Sequence, residues 1–214
     1  MVFLILTLAV VGAAFLGPRF FPDENQRAWE RLNEVIRTWE GIRDLQAEVV
    51  LLRPGEPALH VQLLYLAGLA VRLEIKEPEE LAGEVYALRA VPEGWLLVHS
   101  RPKLSLGLEA RFPEEALTKI LGELGVPSLR ESKVTWPKEN TFQITGLAGS
   151  FTTVEVEIGE NFSLPARIVI LGGNEQRIEI QVHNVQVNKG LELRDLLLLE
   201  PLPTRWIPIP EAGA

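Results

Sequence analysis

The sequence predicts a mainly β fold of the α+β kind: a single strongly curved antiparallel sheet of about eleven strands, wrapped around helices. Two observations carry this expectation. From Asp44 to Asn188 one extended segment follows another, most of them apolar on alternate residues, while only two stretches read as helices. The pattern is set by Leu69-Ala70-Val71-Arg72-Leu73-Glu74-Ile75, with Leu69, Val71, Leu73 and Ile75 on one side and Arg72 and Glu74 on the other. Such alternation marks a half-buried strand of an antiparallel sheet. The second observation is one of area. About ten strands at about 4.8 Å each span about 50 Å, whereas a helix covers a strip about 10 Å wide. Two helices cannot blanket that face, so the sheet must curl around them or leave an apolar cavity.

Each element has its own signal. Residues 1–21 stand apart, because Val2 to Gly17 is apolar throughout except for Thr7 and is followed by Pro18-Arg19-Phe20-Phe21-Pro22. As a helix the run rises only about 24 Å, short of a hydrocarbon core near 30 Å. Leu4 to Val11 suits the h-region of a signal peptide, and Gly12-Ala13-Ala14 offers the small side chains a signal peptidase accepts. No Lys or Arg precedes the run, and Phe20-Phe21 also suits an interface anchor. The segment therefore predicts export, by a cleaved signal peptide or a retained membrane anchor over 2–17. Arg19 beyond it is a counter-signal under the positive-inside rule. Folding is expected to need only the domain over 22–210.

Asp23 opens the first helix, with Gln26 three residues on in a capping-box arrangement. Trp29, Leu32, Ile36 and Trp39 follow at spacings of three and four, which places them on one face, and Gly41 ends the helix. Strands are expected over 45–53, 58–66, 69–76, 83–91, 95–99 and 103–110, with turns at Pro54-Gly55-Glu56-Pro57, Ala67-Gly68 and Pro92-Glu93-Gly94. Pro113-Glu114-Glu115 starts a second helix, with proline in its first turn and acids at its positive end, and Gly125 stops it. Further strands are expected over 131–136, 141–147, 151–158, 165–171 and 176–187, with a hairpin turn at Leu171-Gly172-Gly173-Asn174. In the last strand Ile178, Ile180 and Val182 share a phase that Val185 and Val187 do not, which predicts a bulge near His183-Asn184. The proline-rich tail 191–210 suits lying across the sheet rather than extending it.

Composition excludes several functions. The net charge of −8 argues against a nucleic-acid surface. The absence of cysteine removes disulfides, thiolate metal sites, a cysteine nucleophile and thioether lipidation. His60, His99 and His183 fall on separate strands and predict no metal site. Glu77, Glu79 and Glu80 flank Pro78 and read as a solvated loop, Glu114 and Glu115 serve a helix terminus, and Asn161-Phe162-Ser163 is a glycosylation triplet of a kind common by chance. Gly172-Gly173 lacks the strand-to-helix setting of a phosphate loop. No convergent polar constellation is visible, so no catalytic residue, metal or cofactor is assigned and the chain reads as a non-enzyme. Arg72 and Glu74 read as an outward-facing pair.

Two stretches carry a resemblance. The run Arg72-Leu73-Glu74-Ile75-Lys76-Glu77-Pro78-Glu79-Glu80-Leu81-Ala82-Gly83, continuing through Gly94-Trp95-Leu96-Leu97-Val98-His99-Ser100-Arg101-Pro102, is similar to a run of the LolA/LolB superfamily of lipoprotein carriers. Leu164-Pro165-Ala166-Arg167-Ile168 and Val185-Gln186-Val187-Asn188-Lys189-Gly190 resemble the closing strands of outer-membrane lipoprotein-sorting proteins. The resemblance spans about residues 24–203 and implies an open half-barrel whose apolar cavity receives acyl chains. One departure matters: Leu66-Ala67-Gly68 stands where the carriers have a basic residue beside proline, so that residue's lid-locking role does not transfer.

With fold and resemblance together, Trp29, Ile36 and Trp39 on the helix and Leu63, Val71, Leu73, Ile75, Leu104 and Leu106 on the strands are the residues expected to line the cavity. The expected function is a periplasmic binding or carrier protein for lipids or the acyl chains of lipoproteins, meeting the membrane through its N-terminal segment. The alternative is an envelope sensor or structural module of the same fold that binds a protein partner.

Overall fold

The computed structural model describes residues 23–113, 132–146, 151–159, 164–173, 177–197, 203 and 205–208. The N-terminal segment, the second helix expected from Pro113 and the Asn161 triplet lie outside these residues, apart from Pro113 itself. Among the described residues twelve strands, β1 (Asp44–Leu52), β2 (Leu59–Leu66), β3 (Ala70–Glu77), β4 (Val85–Val91), β5 (Gly94–Arg101), β6 (Leu106–Phe112), β7 (Lys133–Lys138), β8 (Thr141–Thr145), β9 (Phe151–Ile158), β10 (Pro165–Gly172), β11 (Arg177–Val187) and β12 (Arg205–Pro208), hydrogen bond in the order β12-β6-β5-β4-β3-β2-β1-β11-β10-β9-β8-β7, an open sheet with an edge at each end. The pairings β1 to β6 in succession and β7 to β11 in succession are antiparallel, and β12 pairs parallel with β6. The chain divides into two compact units.

One unit takes Met1–Gly41, Leu52–Glu56 and Lys119–Val182. Its described elements are helix α1 (Asp23–Glu40), strands β7 (Lys133–Lys138), β8 (Thr141–Thr145), β9 (Phe151–Ile158) and β10 (Pro165–Gly172), and the first half of β11 (Arg177–Val187). Pairing carries the alternation across strands, as in the rows Val134–Ile144–Val154–Ile170–Ile178 and Phe142–Val156–Ile168–Ile180. Most of these side chains are buried. Helix α1 packs on β7: the Trp136 indole N–H donates to the Ala28 carbonyl (3.1 Å), and the Arg31 guanidinium lies 4.2 Å from the centre of the Trp136 ring. Trp29, Leu32 and Val35 are the buried residues of the helix, whereas Ile36 and Trp39 are half-buried. Gln26 donates to Glu30 one turn ahead (2.8 Å).

The other face of these strands is mostly polar, with Val169 buried among its charged neighbours. Arg167 donates through Nε and Nη2 to both Glu179 carboxylate oxygens (2.7 and 3.1 Å), and Gln181 and Arg177 add further bonds. The Arg167 hydrogen bond, with those of Gln181 and Arg177, holds the Glu179 carboxyl down at about 2 against an ordinary value of 4.5. A carboxyl whose pKa is lowered by folding stabilises fully above its unfolded value and loses that contribution as pH falls through its folded value. Glu179→Gln should therefore melt below the parent at neutral pH, with the gap closing between about pH 4.5 and pH 2. Thermal melts of the two proteins across that range check this.

The second unit takes Ile42–Leu51, Pro57–Thr118 and His183–Ala214. Strands β1 (Asp44–Leu52), β2 (Leu59–Leu66), β3 (Ala70–Glu77), β4 (Val85–Val91), β5 (Gly94–Arg101) and β6 (Leu106–Phe112) form a meander, bounded at β6 by β12 (Arg205–Pro208). Its rows on one face are Leu45–Tyr65–Val71–Leu88–Leu97–Ala110 and Ala47–Leu63–Leu73–Tyr86–His99–Leu108. The last residues of β11 are tied to β1 here. The Asp44 carboxylate accepts the Lys189 and Gly190 N–H groups (2.8 and 3.0 Å), and Asn184 donates to Glu48 (2.8 Å). Asn184 adopts a left-handed φ of 52°, a local break at the site where the change of phase predicts a bulge.

Three expectations need correction in this unit. The tail does extend the sheet, because residues 205–208 run parallel to β6 with Trp206 beside Gly107. A Cβ on Gly107 would stand 2.5 Å from the Trp206 ring, so glycine leaves the space that the indole fills. Leu104 is not in a strand: Pro102–Leu104 form a 3₁₀ turn, the chain reverses at Ser105 (φ 49°), and Leu104 is 60% exposed. Arg72 and Glu74 do pair (3.1 Å), but Arg72 is buried rather than outward-facing. Its face is covered too, with Ala70, Val85, Ala87, Leu96 and Ser100 all buried. In the same unit the short helix α2 (Leu193–Leu197) packs on β2 and β3 with Leu196 fully buried.

Candidate functional site

Of the residues expected to line a cavity, the β-meander brings Leu63, Val71, Leu73, Ile75 and Leu106 onto one face. Trp29, Ile36 and Trp39 belong to α1 in the other unit, and Leu104 projects from a turn. The strand residues are not equivalent. Val71, Leu73 and Ile75 on β3 are at most 5% exposed and Leu63 is 8% exposed, which is the accessibility of packed core. Toward β5 and β6 the same face opens: Trp95, Leu97, Leu106, Leu108 and Phe112 are all half-buried. Leu88 and Ala110 are buried between them, so the apolar surface is continuous from core to partly accessible flank.

The sheet register explains why these residues share a face. Leu97 opposes both Leu88 and Ala110, Trp95 opposes Phe112, and His99 opposes Leu108. Directly opposite residues in an antiparallel pair project to the same side. Sequence reasoning had Leu106 alone of this flank. Trp95, Leu97 and Leu108 fall inside the strands expected over 95–99 and 103–110 and carry the same alternation as Leu106, a signal sufficient to find them; only Phe112 lies beyond those limits.

One polar group interrupts the apolar face. Gly83 N–H bonds to the Ile75 carbonyl (2.8 Å) while the Ile75 N–H bonds to the Glu84 carbonyl (2.9 Å), so Gly83 and Glu84 both oppose Ile75. Gly83 takes a φ of +88°, as the first residue of a bulge requires. The buried Glu84 carboxylate accepts Arg101 Nε (2.9 Å), and the Tyr86 hydroxyl (3.4 Å) and His99 Nε2 (3.0 Å) complete its partners. The Tyr86 and His99 rings stack with centroids 4.1 Å apart. Burial, reinforced by Glu84, pushes the Tyr86 hydroxyl up, and burial pulls His99 down despite the opposing pull of Glu84. His99 is thus held neutral at neutral pH.

The sequence reading missed this convergence, because residues 84 and 101 meet only through the β4–β5 register. Among the described residues, Ser100, between His99 and Arg101 on β5, faces away from this cluster, with Val85 and Gly107. Among the described residues no three His, Asp or Glu side chains are placed to hold a metal ion. The remaining histidines are peripheral, His60 lying 3.5 Å from Glu77 and His183 being exposed. Glu77, Glu79 and Glu80 are exposed, as a solvated loop should be.

No protein-family model matches the chain, and no curated protein matches it by sequence. Solved structures do share its fold. An uncharacterized conserved protein from Thermus thermophilus is 14% identical and superposes with a TM-score of 0.55, covering 87% of this chain and 100% of that one. A LolA superfamily protein from Nitrosomonas europaea is 9% identical with a TM-score of 0.40, covering 77% and 96%. The lipoprotein LppX of Mycobacterium tuberculosis is 11% identical with a TM-score of 0.47, covering 78% and 98%.

Proposed function

We propose that the chain is an extracytoplasmic binding or carrier protein for lipids or the acyl chains of lipoproteins, and not an enzyme. The observation that carries this reading is the half-buried apolar flank of the β-meander, where Trp95, Leu97, Leu106, Leu108 and Phe112 share a face with the packed Leu63, Val71, Leu73 and Ile75. Such a surface takes an alkyl chain, each buried methylene contributing about 0.8 kcal/mol. Among the described residues no third metal-ligating side chain joins Glu84 and His99 in the polar cluster beside it, which suits holding a ligand rather than transforming it. The apolar N-terminal sequence supports an extracytoplasmic place, with residues 2–17 as a leader or a tether. Among the described residues no helix is long and apolar enough to cross a membrane.

Titration with a fluorescent fatty-acid analogue tests the reading. The chain should bind the analogue at micromolar concentrations and release it when an unlabelled long-chain fatty acid is added. Absence of binding at those concentrations would favour the alternative, a module of this fold whose apolar flank docks a protein partner.

A further inference from the structure

We propose that Arg101 is the seat for an anionic head group, so that the ligand is an amphiphile ending in a carboxylate or a phosphate rather than a neutral lipid. The inference rests on the lipid-binding reading above and adds to it the class and direction of the ligand. Glu84 holds one edge of the Arg101 guanidinium through Nε (2.9 Å). The terminal nitrogens make no ion pair or hydrogen bond with the described residues, and 40% of the side chain is exposed. A guanidinium fixed at Nε presents its two terminal nitrogens as an oriented pair of donors, the geometry that matches a carboxylate or phosphate. Glu84 is buried and its oxygens are taken by Arg101, His99 and Tyr86, so its charge faces its own partners. The exposed carboxylates of Glu77, Glu79 and Glu80 belong to the neighbouring β3–β4 loop, where water and salt screen them.

Position gives the direction. Arg101 opposes Leu106 at the end of β5, and from there the half-buried side chains Leu108, Leu97, Trp95 and Phe112 continue along β5 and β6. Arg101 to Trp95 is about 20 Å of strand, the reach of a long alkyl chain laid along the sheet with its head at Arg101. Orientation by one charged contact and affinity from apolar area is the usual division in such sites.

The test compares three ligands of one chain length on the full chain: dodecanol, dodecanoate and dodecyl phosphate, all below their micelle concentrations. Binding to the parent, Arg101→Gln and Arg101→Lys proteins is measured by displacement of the fluorescent analogue, with a thermal melt of each. The parent should bind at least one anion about tenfold tighter than dodecanol, since a charge-assisted bond carries that advantage. Preference for dodecanoate points to a fatty-acid carboxylate, and preference for dodecyl phosphate to a phospholipid phosphate. Arg101→Gln should lose the preference while keeping its affinity for dodecanol, and Arg101→Lys should keep part of it. Equal binding of all three ligands by the parent, or a preference that survives in Arg101→Gln, would overturn the head-group seat and leave the apolar site standing. No binding of any ligand would overturn both.

Discussion

Leu73→Glu should remove cooperative folding of the β-meander. Leu73 is 3% exposed at the centre of the cross-strand row Ala47–Leu63–Leu73–Tyr86–His99–Leu108, and it opposes both Leu63 and Tyr86. Truncating a leucine in such a position costs about 2–5 kcal/mol, and burying a carboxyl without partners adds to it. A domain has about 5–15 kcal/mol in total, so one change removes much of the margin. Leu73→Met keeps volume and polarity and should cost less than about 1.5 kcal/mol. Circular dichroism melts of the two variants beside the parent give the comparison. A Leu73→Glu protein that melts like the parent would mean that the β3 face is open to solvent rather than packed.

The largest effect on ligand binding belongs to Leu108→Glu. Leu108 lies in the same row, but at its half-buried end beside His99, where water still reaches the side chain. A charge there remains solvated when the site is empty, so the stability loss should stay within about 1 kcal/mol. An alkyl chain laid over it would strip that water, at a cost of about 2–3 kcal/mol, or roughly 30–150-fold in affinity. The contrast with Leu73 is the informative part: one position reports on the core, the other on the surface that core supports. Analogue titration and melting of Leu108→Glu separate the two effects. A variant that binds as tightly as the parent would remove β5 and β6 from the site.

Period-two alternation made most of the fold legible. The segment read as 69–76 is Ala70–Glu77, and the one read as 151–158 is Phe151–Ile158, because one-sided burial writes itself directly into local sequence. What escaped was set by contacts between distant residues. Residues 205–208 become a strand because Gly107, about a hundred residues earlier, leaves room for the Trp206 ring. Arg72 is buried because its face of the sheet is covered as well, and alternation alone cannot say whether a polar face is covered or wet. Pro102 did carry a local signal, since a proline after Arg101 favours a turn and would have moved Leu104 out of the strand.

The candidate site was legible to a lesser degree. Leu63, Val71, Leu73, Ile75 and Leu106 share one face of the sheet while Leu104 leaves it, and the accessibility of each follows from what lies over that part of the sheet. Glu84 lies on the apolar face in phase with Tyr86 and Leu88, and it meets Arg101 only through the β4–β5 register. Spacing in the chain, 17 residues from Glu84 to Arg101, gives no hint of that meeting.

Native mass spectrometry of the full chain purified from membranes tests the central claim most directly. The account predicts a fraction of molecules carrying a single lipid or acyl adduct, displaced by added long-chain fatty acid and reduced in Leu108→Glu. A parent protein that carries no adduct and takes up none when offered fatty acid at micromolar concentrations would contradict it.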